Sequence, residues 1–288
     1  MNPMLQQMLD RYVCRNEAEY VNAIREIMQE LALLGLWRSK FFEHAAFYGG
    51  TALRIVHGLN RGSEDLDFSL LKPNREFTLT TYAGALKNEL SAFGFPVDFV
   101  AKEKSLASTI DSAFLKGNTK ILMISIGVPA ALTDKVYAQK ELKIKFEIDL
   151  DPPPGFTTEV RTLLRPIPHS VRLYSLPDLF AGKLHAVLCR RWRNRSKGRD
   201  WYDLVWYAAN HPAVNLEHLE QRMRYSGDYA GETPLTLDAL KSLLDDAIEK
   251  IDLELLRQDV LPFIRDHQEL ELWSKDFFRQ VIAMIIPA

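Results

Sequence analysis

The apolar positions of this chain change their period several times. Over residues 17–36, Tyr20, Ala23, Ile24, Ile27, Met28, Leu31 and Leu34 recur at three and four. That spacing predicts an amphipathic helix, with Gly35 as its stop. Residues 4–13 predict a shorter helix before it. Residues 39–47 lead, as a short helix, into the turn Tyr48-Gly49-Gly50. A helix over 51–59 and a strand over 65–70 follow, and Lys72-Pro73-Asn74 breaks the strand. Residues 78–93 place Leu79, Tyr82, Leu86 and Leu90 on one helical face. Strands are expected over 96–102, 121–128 and 143–150. The last alternates strictly, with Ile144, Phe146, Ile148 and Leu150 on one face and Lys143, Lys145, Glu147 and Asp149 on the other.

Beyond Leu173-Tyr174-Ser175-Leu176-Pro177 the period is helical. Ser175 is a candidate N-cap, and Asp178 three residues on completes an approximate capping box. Leu179, Leu184 and Val187 form the apolar face of a helix that runs to about residue 191. A second helix spans 199–209, and 215–284 is helical with a break at Gly227, Gly231 and Pro234. The fold class is therefore α+β. A mixed part, 1–172, precedes an all-helical C-terminal part, 173–288.

The length, 288 residues, suffices for one large domain or two smaller ones. A net charge of −2 leaves any nucleic-acid surface to a local patch. Cys14 and Cys189 are the only cysteines, which excludes a disulfide framework or a Cys-based zinc site and fits a reducing cytoplasm. Residues 1–16 show no signal-peptide pattern, and no apolar run is long enough to span a bilayer.

The densest chemistry lies at Phe47-Tyr48-Gly49-Gly50-Thr51-Ala52-Leu53 and Ser63-Glu64-Asp65-Leu66-Asp67-Phe68. Residues i and i+2 of a strand point the same way, so Asp65 and Asp67 converge while Leu66 and Phe68 face the core. Two close carboxylates repel unless a cation lies between them. A hard divalent ion such as Mg²⁺ takes oxygen ligands, and a glycine turn at a helix start offers N–H groups to phosphate. Two-metal chemistry takes about three acids around two cations, and Glu147, or alternatively Asp149, is the natural third carboxylate. A solvated strand face would account for those two equally well.

A second feature runs through Arg190, Arg191, Trp192, Arg193, Asn194, Arg195, Ser196, Lys197, Gly198, Arg199, Asp200, Trp201, Tyr202 and Asp203. Six cations with interleaved tryptophans suit a phosphate backbone and base stacking, so Arg190, Arg191, Arg193, Arg195, Lys197 and Arg199 are candidate RNA contacts. A basic helix end answering its own dipole explains part of this but not the density. Lys183, after Gly182, could reach a triphosphate as a point charge. His185 and Cys189, one helical turn apart with no third ligand evident, are taken as packing residues. Trp273, Phe277 and Phe278 are taken as core.

The block Gly49-Gly50-Thr51-Ala52-Leu53…Arg61-Gly62-Ser63-Glu64-Asp65-Leu66-Asp67-Phe68 resembles the AbiEii/AbiGii toxin family, within the DNA polymerase β-like nucleotidyltransferases. So does Leu176-Pro177-Asp178-Leu179-Phe180-Ala181-Gly182-Lys183-Leu184-His185-Ala186 through Lys197-Gly198-Arg199-Asp200-Trp201-Tyr202-Asp203-Leu204. The resemblance covers roughly residues 40–210. It implies a small mixed sheet flanked by helices, and NMP transfer from an NTP with Mg²⁺, or Mn²⁺, on Asp65 and Asp67. Gly49, Gly50 and Thr51 match the phosphate-binding turn, with Ser63 beside it. Lys183 matches a family lysine, and Asp203, or Asp200, its acid. The wider superfamily often has Gly-Ser where Gly49-Gly50 stands, which passes a hydroxyl contact to Thr51 or loses it. The resemblance further implies a toxin of a toxin–antitoxin or phage-defence operon, an antitoxin partner, and an RNA acceptor such as the tRNA 3′ end. A protein hydroxyl as acceptor, with nucleotidylation or kinase chemistry, is the alternative. A catalytically inactive nucleotide- or partner-binding module is a further one.

Overall fold

The first of two units in the computed structural model is built on a seven-stranded mixed sheet. The structure describes residues 3–102, 108–190 and 198–288. Unit 1 takes residues 1–56, 63–152 and 160–173; unit 2 takes 57–62, 153–159 and 174–288. Two short segments thus belong to the second unit although their neighbours in sequence belong to the first.

Unit 1 runs α1 (Pro3–Leu9), α2 (Glu17–Arg38), β1 (Ala45–Tyr48), α3 (Gly49–His57), β2 (Leu66–Leu70), α4 (Ala83–Ala92), β3 (Asp98–Ala101), β4 (Ile110–Asn118), α5 (Thr119–Ser125), α6 (Ala130–Thr133), β5 (Glu141–Asp149), β6 (Thr158–Leu163) and β7 (His169–Tyr174). The ends of α3, β6 and β7 pass into unit 2. Asn16 caps α2, its side chain accepting the Glu19 N–H at 3.0 Å. The helix then buries Ala23, Ile24, Ile27, Met28, Leu31 and Leu34 against the sheet and α4. On the sheet, Phe68 is fully buried, its ring 4.9 Å from Phe41 and 5.3 Å from Phe47. The strand order is β3-β4-β5-β2-β1-β7-β6; β2 runs antiparallel to β1 and parallel to β5, and β1 runs parallel to β7.

Several expectations are corrected here. Residues 121–128, expected as a strand, lie mostly in helix α5. Asn118 caps it, accepting the Ile121 N–H at 3.1 Å, and the helix buries Leu122 and Met123 while exposing Ile121 and Ile124. An apolar run of that length suits either element, and the cap decides. The expected helix over 39–47 is a 3-10 turn, Phe41–Glu43, followed by β1. Strand β4 escaped notice because its buried face includes Asp111, whose Oδ2 accepts the Leu79 N–H at 2.8 Å.

Unit 2 contains α7 (Leu176–Cys189), α8 (Gly198–Asn210), β8 (Ala213–Val214), α9 (Leu216–Tyr225), α10 (Leu237–Lys250), α11 (Leu253–Val260), α12 (Lys275–Ala283) and β9 (Ile286–Pro287). It is not all-helical, since β8 and β9 pair in parallel. Trp273 and Phe278 are buried and Phe277 half-buried, with Trp201 packed 4.9 Å from Phe278. The expected capping box is built differently. The Ser175 N–H goes to the Thr157 carbonyl, and the Ser175 hydroxyl donates to Asp178 Oδ2 at 2.7 Å. Asp178 also accepts from the Thr157 N–H and hydroxyl and from Asn215 Nδ2. Those bonds tie segment 153–159 to α7 and α9.

His218 lies fully buried in this layer, its Nδ1 2.9 Å from the Pro154 carbonyl and its ring 5.8 Å from those of Phe156 and Tyr174. Burial first, with Arg222 adding to it against the Pro154 bond, lowers its pKa to about 4. The unfolded chain therefore binds this proton first as pH falls. Folding stability should be full above about pH 6.5 and fall by about 3 kcal/mol toward pH 4. Urea unfolding across that range checks this, and His218→Gln should remove that slope.

Candidate active site

One rung of the unit 1 sheet is polar. Tyr48 of β1 pairs with Asp67 of β2, Asp67 with Glu147 of β5, and Glu147 with Ser112 of β4. Residues in register on neighbouring strands share a face about 4.8 Å apart. On β1, β2 and β5 the next rung is apolar, Phe47, Phe68 and Ile148, all three buried, with Asp111 of β4 beside Ile148. Asp67 and Glu147 thus stand side by side on the face opposite the core, both half-buried. Asp65 precedes β2, exposed, rather than lying within the strand. Lys145 Nζ sits 2.7 Å from Glu147 Oε1, and the Ser112 hydroxyl donates to the same oxygen at 3.3 Å. Asp149 lies further along, opposite Ser69, and its Oδ1 accepts the Asp151 N–H.

The glycine turn is built against Asp67. Gly49 has φ +81°, and a Cβ there would lie 2.5 Å from Asp67 Oδ2. Only glycine allows this hand of the backbone and this approach together. From it α3 starts, directing the first amides of its N-terminus at the end of β1. Thr51 is fully buried. Its hydroxyl bonds to the Asp65 carbonyl and, at 2.8 Å, to Ser63 Oγ. The Thr51 hydroxyl thus acts as a strut that holds the loop before β2. Gln29 Nε2 adds a bond to the Ser63 carbonyl at 3.2 Å.

In unit 2, four charged side chains form a buried cluster. Arg61 grips Asp203 bidentately at 2.7 and 2.7 Å. Lys183 of α7 reaches Asp203 at 2.7 Å and Asp200 at 3.0 Å, both on α8. Asp203 is fully buried and Arg61 nearly so. Burial would raise the Asp200 carboxyl's pKa, but Lys183 above all, then Arg190 and Arg61, hold it below the ordinary value. Arg61 stays charged because Asp203 outweighs its desolvation. Both acids thus meet Lys183, and Asp203 alone has the second cation. Tyr207, stacked on Phe180 at 4.4 Å, is raised by burial and then by Asp203.

The profile described as "Nucleotidyl transferase AbiEii toxin, Type IV TA system" matches residues 31–281. The chain belongs to the AbiEii family. It is thus a toxin-type nucleotidyltransferase of a type IV toxin–antitoxin system. A candidate nucleotidyltransferase from H. pylori is similar in structure at 20% identity and TM-score 0.46, covering 90% of this chain and 92% of that one. JHP933 from Helicobacter pylori is similar at 20% identity and TM-score 0.49, covering 90% and 89%. A search of curated proteins finds no match.

Of the candidate residues, Asp65, Asp67, Gly49, Gly50, Thr51, Ser63 and Glu147 lie in unit 1, and Lys183, Asp200 and Asp203 in unit 2. Arg191, Arg193, Arg195 and Lys197 lie outside the described residues. Arg190 is exposed. Arg199 is engaged locally, its guanidinium 4.2 Å from the Phe263 ring and its N–H donating to Asp259. Sequence reasoning missed Tyr48, Ser112 and Arg61. Arg61 stands inside the quoted motif without an assigned role, and its isolation among small and acidic residues was the available signal. No helix among the described residues is long and apolar enough to cross a membrane.

Gly49→Ala should cost about 1–3 kcal/mol, whereas Gly58→Ala, also left-handed but with open space around it, should cost less; urea unfolding separates the two. Arg61→Met should cost about 3–5 kcal/mol, because it strips a bidentate partner from a fully buried carboxylate. Adding Asp203→Leu should cost less than the sum of the single changes in the same assay.

Proposed function

We propose that this enzyme transfers NMP from an NTP to an RNA acceptor, the tRNA 3′ end, using Mg²⁺ held by Asp65, Asp67 and Glu147. The observation that carries this reading is the register placing Asp67 beside Glu147, with the Gly49 turn against Asp67. Asp67 and Glu147 suit a hard divalent cation, being carboxylates on strands one sheet spacing apart, and Asp65 is carried by the loop just before β2. Mn²⁺ would fit the same oxygens. Glu147 is favoured over Asp149, which lies further along the strand and is occupied by the Asp151 N–H. In this two-metal reading, one bound cation would lower the pKa of the attacking 3′-hydroxyl and the second would neutralise the leaving pyrophosphate.

The protein's own groups supply the rest. Backbone N–H groups at the start of α3, from Gly49, Gly50 and Thr51, offer hydrogen bonds to phosphate oxygens. Ser63 and Thr51 hold the loop that carries Asp65. Lys145 balances Glu147 until a cation takes that carboxylate. Lys183 is the triphosphate-binding cation in the family reading, with Asp203 holding its ammonium in place. The basic composition around residues 190–199 supports an RNA backbone as acceptor, read without sequence preference. The expected setting is the cytoplasm, with a cognate antitoxin as protein partner.

Incubation with each labelled NTP and total tRNA tests this. One NTP should label RNA in an Mg²⁺-dependent manner, and Asp67→Asn should reduce labelling at least ~100-fold. RNase should release the label; label that survives RNase and follows protein would move the reading to a protein acceptor. Absence of labelling with every NTP, or equal labelling by Asp67→Asn, would overturn it.

A further inference from the structure

Helix α7 carries a second group of ligand-type side chains, separate from Lys183. His185 and Cys189 lie one turn apart near its C-terminus, and Asp228 follows the C-terminus of α9. One ligand atom from each lies within 4.8 Å of the other two. Ligands on one tetrahedral zinc ion, with bonds of about 2.0–2.3 Å, lie about 3.4–3.8 Å apart. Small side-chain rotations close that gap. The Ser226 hydroxyl already links two of the three, bonding His185 Nε2 at 3.0 Å and donating to Asp228 Oδ2 at 2.7 Å. That shared hydroxyl orients imidazole and carboxylate before any ion enters, as outer hydrogen bonds do in metal sites.

We propose that His185, Cys189 and Asp228 form a zinc site that ties the last turn of α7 to the turn after α9. A mixed set needs one thiolate, so this site reverses the exclusion of a Cys-based zinc site that two cysteines suggested. The fold supplies in Asp228 the third ligand that the sequence around His185 and Cys189 lacks. A thiolate with an imidazole and a carboxylate selects zinc or cobalt over Mg²⁺, whereas the Asp65, Asp67 and Glu147 oxygens select the reverse. All three side chains are half-buried, so the site is shielded yet reachable. Three protein ligands leave a fourth position to water. Binding releases the Cys189 thiol proton, because only the thiolate ligates. The proposal is independent of the acceptor and of the transfer reaction.

The full chain, stripped with chelator and titrated with Co²⁺, tests it. A thiolate-to-cobalt charge-transfer band should grow to one equivalent, be bleached by Zn²⁺, and resist a large excess of Mg²⁺. Cys189→Ser should abolish the band, while Cys14→Ser and Asp67→Asn should retain it. In competition with a chromophoric chelator, His185→Gln and Asp228→Asn should each weaken zinc binding at least tenfold, with circular dichroism confirming the fold. Absence of the band in the unsubstituted protein, or full zinc affinity in Cys189→Ser, would overturn the site. The unsubstituted protein's band decides the matter even where a variant fails to fold.

Discussion

The side-by-side placement of Asp67 and Glu147 rests on the register of β2. Pairing Tyr48 with Asp67 and Asp67 with Glu147 puts the carboxylates on one face and Phe68 in the core. A slip of one residue would exchange the faces, burying Asp67 and exposing Phe68. The aromatic packing of Phe41, Phe47 and Phe68 therefore specifies the acidic rung as well as stabilising the sheet. Gly49 adds a local lock, because its backbone approaches Asp67 only in this register.

The two candidate clusters handle charge in opposite ways. In unit 1, Asp65 is exposed and Asp67 and Glu147 are half-buried. In unit 2, Arg61 and Lys183 are balanced internally against Asp200 and Asp203, largely withdrawn from water. Buried ion pairs gain little over apolar packing, because desolvation offsets most of their attraction. Stability alone is thus a weak reason for this cluster. What it secures is orientation: the bidentate Arg61 fork fixes Asp203, and Asp203 with Asp200 fixes the Lys183 ammonium.

Strong alternation made β5 legible, and threefold-fourfold spacing made α2 legible, because each buries one continuous apolar face. The facing of Asp67 was legible for the same reason, through Leu66 and Phe68, but not that of Asp65, which precedes β2. Strand β4 was hidden by Asp111, a buried carboxylate satisfied by a distant backbone N–H. Ser112 was hidden with it. The helical state of α5 depended on the cap at Asn118, which an apolar run does not announce. Arg61 and Asp203 are 142 residues apart, and nothing local in either segment signals that they meet. The inward turn of the Thr51 hydroxyl is likewise a matter of tertiary packing.

Strand β1, which precedes the glycine turn, has partners of very different range. β2 follows within about twenty residues, but Phe47 also pairs with Leu173 of β7, far along the chain. Closing that pair costs loop entropy before any packing returns it. A growing chain shorter than β7 therefore carries β1 as an open sheet edge, with its hydrogen-bonding groups unpaired on one side. During synthesis, that edge would have to be shielded until the chain reaches Leu173. For a toxin, this links completion of the strand leading to the glycine turn to completion of most of the polypeptide.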